Sequence, residues 1–239
     1  MTSPTNPIKQ FYDRHHRPAQ GQEPEAGLTP QAALAGMRRA GHRYFCLFDQ
    51  IPEGRTLRAV ELGFGSATVA AALAHYFGFY ETVDISADVL LEGHEAGFPH
   101  RQANLCEDFP YPDGSFDVVI AMMIVEHLFD PFHSFREIAR ILKPQGTAFV
   151  NLPNITSVRC RLDLLRGRLP WTSRSDWFES REWDGGHLHY FDIGHVTRLG
   201  DLYGLELVRI YPVGRFYRLK RLWPDLLCHE LSYVFKRRA

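Results

Sequence analysis

The sequence predicts an α/β protein built on a doubly wound, mostly parallel sheet of seven strands, with the last strand antiparallel. Three observations predict it. Strand and helix patterns alternate from residue 57 to residue 152. Phe116-Asp117-Val118-Val119-Ile120-Ala121 is a nearly continuous apolar run, the pattern of a strand covered on both faces. Two more strand patterns, at 205–210 and 231–235, have no helical period cleanly between them, so the chain is expected to return antiparallel. The 239 residues, 45% hydrophobic and 23% charged, suit one domain of ordinary globular composition.

The elements follow from local signals. Residues 1–28, rich in Pro, Gln, Glu and Gly, read as an irregular arm in which His15 and His16 are solvated. Thr29-Pro30 is an N-cap followed by proline in the first turn. Leu34, Met37, Tyr44, Phe45 and Phe48 then recur at helical spacing, which predicts one helix running across Gly41 to near Pro52. A strand at 57–62 enters Gly63-Phe64-Gly65, and a helix follows from about 67 to 77. The second strand, 79–83, ends at Asp84, and Ser86 caps a short helix to about Gly93. A weak strand lies at 100–103. Asp130 caps the clearest helix, whose predicted buried stripe is Phe132, Phe135, Ile138, Ala139 and Leu142. Arg140 and Lys143 complement its C-terminal dipole, and Pro144 ends it before a strand at 147–152. Beyond that come a basic helix at 156–168, an aromatic stretch at 170–191 and a helix at 193–203. The expected organisation is an arm and helix (1–52), a cofactor-binding core (53–155), a substrate lid (156–192) and the remainder of the core sheet (193–239).

Composition removes several classes. Lys and Arg number 27 against 28 Asp and Glu, so nothing in the whole-molecule charge argues for nucleic acid or an anionic membrane. The longest apolar run, 118–125, is too short to span a bilayer, and MTSPTNPIKQ lacks the apolar core of a signal peptide. Cys46, Cys106, Cys160 and Cys228 are scattered, with no CxxC and no metal cluster. A cytoplasmic protein with reduced thiols is the expectation.

The chemistry concentrates around the glycine turn. Glycines at 63 and 65 let a ligand approach the backbone without meeting a Cβ. Asp84, at the next strand end, stands where an acid takes both hydroxyls of a ribose. A dinucleotide site wants a third glycine where Thr68 stands, and Glu61 would repel a pyrophosphate. The same carboxylate attracts an amino group, so S-adenosyl-L-methionine is favoured over NAD.

Glu61-Leu62-Gly63-Phe64-Gly65-Ser66-Ala67 resembles the first motif of class I S-adenosylmethionine-dependent methyltransferases of the ubiquinone and small-molecule type. Val83-Asp84-Ile85-Ser86, the Glu126-His127 pair after the fourth strand and Leu142-Lys143-Pro144-Gln145-Gly146 are similar to later motifs of that family. The resemblance implies a Rossmann-like methyltransferase fold and a set of cofactor contacts. Glu61 would hold the methionine amino group, with Gly63 and Gly65 beside the methionine. Asp84 would hold the ribose, and Ile85 would pack on the adenine. Asn104 and Leu105 would flank the adenine amino group, and Met122 would lie near the sulfonium. Ala67 and Asn104 depart from the usual glycine and aspartate of the pattern.

The expected function is methyl transfer to a small-molecule acceptor, with a hydroxyl oxygen as the expected target. The alternative is an S-adenosylmethionine-binding partner or sensor without transfer. His187 and His127 are the candidate bases, because His titrates near the working pH. Each also has a structural reading, His187 as a loop anchor and His127 packed beneath the site. His187 and His189 would share one face if extended, as two metal ligands might, but no metal is expected. Trp171, Trp177 and Trp183 cluster with Phe178, Tyr190 and Phe191 as a lid or pocket. Arg159, Arg161, Arg166 and Arg168 read either as a solvated helix face or as contacts to an anionic group on the acceptor.

Overall fold

The computed structural model describes residues 29–86, 97–173 and 183–239. The arm, the short helix after Ser86, and Trp177 with Phe178 lie outside the described residues.

The strands are β1 (Arg58–Leu62), β2 (Phe79–Asp84), β3 (His100–Gln102), β4 (Phe116–Met122), β5 (Leu142–Pro153), β6 (Leu205–Pro212) and β7 (Glu230–Arg237). They form one sheet in the order β3-β2-β1-β4-β5-β7-β6. The pairs from β3 to β5 are parallel, whereas β7 is antiparallel to both β5 and β6. This is the doubly wound, mostly parallel sheet the sequence predicts. The order reverses beside β1, which is where ligands sit in such folds.

The helices are α1 (Pro30–Met37), α2 (Phe45–Gln50), α3 (Ala67–Tyr76), α4 (Pro131–Ile141), α5 (Val158–Leu165), α6 (Ile193–Leu202), α7 (Tyr217–Lys220) and α8 (Pro224–Leu227). Alternation along each strand feeds two cores. On one face Val60, Leu62, Val119 and Val150 pack with Phe135 and Ile138 of α4 and Val196 of α6. On the other, Ala59, Val118, Ile120 and Phe149 pack with residues of α1, α2 and α3.

Two expectations are corrected. The single helix expected from Thr29 to Pro52 is two helices, broken around Gly41. That glycine has φ +94°, and an added Cβ would stand 2.3 Å from the carbonyl oxygen of Gly214. The amide of Gly214 in turn donates to the carbonyl of Gly41 at 2.7 Å, so two backbones cross where no side chain fits. Phe132 leaves the predicted stripe of α4 and is 53% exposed, while Phe135, Ile138 and Ala139 are buried. The Asp130 cap itself forms as expected, accepting from the amide of Phe132 at 2.8 Å.

Candidate active site

The glycine turn lies between β1 and α3, at the carboxyl ends of the parallel strands. Gly63 has φ +79°, and its amide donates to the carbonyl of Val83 at 2.8 Å, which ties the turn to the end of β2. Asp84 spans the junction. One carboxylate oxygen accepts from the amide of Phe64 and the other from the amide of Ser86, both at 2.8 Å. At Gly65 an added Cβ would meet only the Tyr44 hydroxyl, 3.8 Å away. An adenosine cofactor without phosphates fits these residues, with open backbone at Gly65 and a carboxylate fixed beside the turn, whereas the Ile124 side chain stands 3.0 Å from where a Cβ on Gly63 would be.

Glu61 sits on the α1–α3 side of β1 and is buried. The hydroxyls of Tyr44 and Tyr80 each donate to one of its carboxylate oxygens. Burial pushes its pKa up to about 7, although both phenol hydrogen bonds favour the ionised form. The carboxyl that the sequence reading offers to an amino group is thus clamped by two tyrosines, a clamp that reading did not contain. Ile85 and Met122 are half-buried at the ends of β2 and β4, and Leu105 is buried. Asn104 uses its side-chain oxygen to accept from the Cys106 amide at 3.0 Å, and its amide group donates to Glu107.

The second part of the site brings together residues far apart in sequence. His127 lies in a short turn after β4, and its ring meets that of His187 edge to face at a centroid distance of 4.8 Å. His127 Nδ1 lies 3.1 Å from the carbonyl oxygen of Gly186, which can only accept, so the proton is on that nitrogen. His187 is buried, with Nδ1 2.7 Å from the Thr172 hydroxyl. That hydroxyl donates its own proton to Asp184 at 2.7 Å, so its oxygen accepts from His187 and the ring's lone pair is on Nε2. Asp184 is buried in a left-handed turn, and the amides of Thr172 and Ser173 also donate to it. Those hydrogen bonds hold its carboxyl below the usual range despite burial.

His187 Nε2 stands 4.0 Å from Glu126. Glu126 is fully buried, neither carboxylate oxygen meets a side-chain hydrogen-bond partner among the described residues, and burial pushes its pKa up to about 8. One donor atom each from Glu126, His127 and His187 lie within 4.8 Å of one another. Burial thus favours the protonated form of the Glu126 carboxyl, next to two imidazoles. His189 goes elsewhere, with Nε2 against the carbonyl of Phe129, so the expected shared face of His187 and His189 does not form. Phe191 is likewise buried in the core and is no part of a lid, while Trp171 and Trp183 are exposed.

Beside His187 opens a cavity of about 360 Å³, lined by Met123, Arg43, Arg159, Thr172, His229 and Glu230 among others. Arg43 is paired with Glu230 at 3.1 Å, and Arg159 lies over the Trp171 ring. Thr172, Asp184 and Glu126 are the contributors that sequence reasoning missed. The Asp184-x-x-His187 spacing was the only signal that could have paired two of them.

Comparison with known proteins agrees with this fold. Residues 60–150 match the family model described as a methyltransferase domain. These residues form a class I S-adenosylmethionine-dependent methyltransferase domain. The ubiquinone/menaquinone biosynthesis C-methyltransferase UbiE of Xanthomonas campestris is 33% identical over 126 residues, 48% of this chain and 49% of that protein. A probable S-adenosylmethionine-dependent methyltransferase of Mycobacterium tuberculosis is 47% identical over 53 residues, 22% of this chain and 19% of that one. The chain thus spans at most about half the length of these curated relatives. Among solved structures, an S-adenosylmethionine-dependent methyltransferase from Mesorhizobium loti superposes with a TM-score of 0.63 at 17% identity, covering 84% of this chain and all of that one. The [4+2]-cyclase SpnF superposes with a TM-score of 0.62 at 13% identity, covering 97% of this chain and 95% of that one. Both likenesses concern the fold alone.

Proposed function

We propose that the protein transfers a methyl group from S-adenosylmethionine to a hydroxyl of a small acceptor seated in the cavity beside His187. The observation that carries this reading is Asp84, held across the Gly63–Gly65 turn by amide hydrogen bonds to both its oxygens, beside a backbone left open at Gly65. When bound, the cofactor supplies a methyl group on a cationic sulfur, already an excellent leaving group.

The chain's own work is positioning and proton handling. Asp84 accepts from the ribose hydroxyls, and Gly63 and Gly65 admit the methionine portion. Ile85 and Leu105 flank the adenine beside Asn104, and the clamped Glu61 carboxyl serves the amino group. Met122 ends β4 and would lie near the sulfonium, and Met123 after it lines the cavity. His187 accepts the acceptor's proton at Nε2, because Thr172 and Asp184 keep Nδ1 protonated. His127, its edge against His187, orients that ring. Alignment of nucleophile and methyl group supplies about 7–11 kcal/mol, while a positioned base adds roughly 10²–10⁴-fold. Positioning therefore dominates the rate.

C-methylation is the second reading, favoured by the similarity to proteins named C-methyltransferases. There His187 would remove a proton from an acidic carbon instead. An S-adenosylmethionine-binding partner or sensor without transfer is the remaining reading, since the fold alone does not establish transfer. An acceptor screen with methyl-labelled cofactor tests all three. Label on oxygen supports the first reading and label on carbon the second. Cofactor binding with no acceptor-stimulated release of S-adenosylhomocysteine supports the third.

A further inference from the structure

Helix α5 and the segment that carries α7 carry large apolar side chains that the sheet does not bury. Leu164, Leu165, Leu169, Phe216, Leu222 and Trp223 are all more than half exposed, Leu165 reaching 83% and Leu222 80%. Soluble surfaces scatter such side chains singly, whereas here they fall in two short stretches, 158–171 and 215–223. The same stretches hold eight cations: Arg159, Arg161, Arg166 and Arg168 in the first, and Arg215, Arg218, Lys220 and Arg221 in the second. Their only acid is Asp163. The chain as a whole has a net charge of −1, so this surplus is local.

The two stretches are joined at their roots. Asp225 of α8 pairs with Arg161 at 2.9 Å, accepts from the Thr156 hydroxyl, and through its carbonyl accepts from the Asn154 side chain. Arg159 Nη1 lies 3.4 Å from His229 Nε2. Among the described residues, no carboxylate forms an ion pair with Arg166, Arg168, Arg218 or Arg221.

We propose that this face seats the protein peripherally on an anionic lipid bilayer. Leucines and Trp223 would enter the headgroup boundary while the arginines meet lipid phosphates and carboxylates. No helix among the described residues is long and apolar enough to cross a membrane, so the attachment lies in the plane of the surface. A second copy is the poorer occupant, because a two-fold axis would set eight cations against the same eight. Arg159 belongs both to this face and to the cavity lining, so a bilayer on the face lies next to the cavity. The surface stands whatever acceptor the site methylates.

Flotation of the full chain with phosphatidylcholine vesicles, with and without added phosphatidylserine, tests it. The expected result is binding roughly tenfold or more tighter to the anionic vesicles, weakening as salt rises. The combined variants R166Q/R168Q/R218Q/R221Q and L165S/L222S/W223S should each lower that binding by about tenfold or more, with unchanged Tm and S-adenosylhomocysteine affinity. Equal or absent partition of the unaltered protein into the two vesicle types overturns the proposal. So does unaltered vesicle binding by both variants. A concentration-dependent dimer that the apolar variant abolishes, without vesicle binding, assigns the face to a second copy and overturns it as well.

Discussion

Asp84 and Thr172 carry separable roles. Asp84→Ala should weaken S-adenosylhomocysteine binding at least about tenfold by calorimetry, the loss of a charged hydrogen-bond acceptor for two hydroxyls. Thr172→Val should leave that affinity unchanged and lower kcat by roughly tenfold, because the His187 tautomer is no longer fixed. Steady-state kinetics beside calorimetry distinguishes the two, and equal losses for Thr172→Val would make Thr172 a loop anchor only. Glu61 sets a pH dependence of stability. Its folded pKa of about 7 lies above its ordinary 4.5, so the folded state binds the proton more tightly. The stabilisation is full below about pH 4.5 and is lost as pH rises through about 7, at no more than roughly 1.4 kcal/mol per pH unit. Urea unfolding across that range should show the decline, and Glu61→Gln should make it shallower, leaving the part that Glu126, pushed up to about 8, contributes. The acid-glycine-acid triad was legible because residue type and spacing along two adjacent strands suffice to place it. The partners of Glu61 and His187 were not. Tyr44, Tyr80 and Thr172 reach them across the fold, and no local period records such contacts.

At the scale of elements, strands buried on both faces and helices with side-chain caps could be read directly. β4 is an apolar run, and Ser66, Asp130 and Asp192 each accept from an amide in the first turn of their helix. The break at Gly41 escaped because the apolar period continues from Met37 to Tyr44 as though the helix did. Its cause is the backbone of Gly214, far away in sequence. Gly41→Ala should therefore destabilise the protein by about 2 kcal/mol or more, since the new methyl meets a carbonyl and a positive φ is imposed on it. Chemical denaturation measures this, and a change below about 0.5 kcal/mol would mean that the crossing relaxes freely. α7 and α8, of four residues each, are too short for any period to reveal. Phe132 fitted the stripe of α4 by spacing, but the first turn of that helix lies beyond the edge of the core.

For the molecule as a whole, strand order was the least legible property. The sequence held seven strand patterns, but which strands are neighbours depends on pairings such as Thr147 with Lys236. β7 is inserted between β5 and β6, and its Tyr233 and Phe235 are fully buried. This placement bears on how the protein is made. During synthesis β5 and β6 leave the ribosome well before the strand that must lie between them, so both wait with unsatisfied edges. A nascent chain halted after Cys228 should stay open to protease around residues 205–212, and it should become resistant only once residues 230–237 have emerged. Vectorial translation thus makes the closing of this sheet a late, single event and leaves a window in which a chaperone has two bare β-edges to shield.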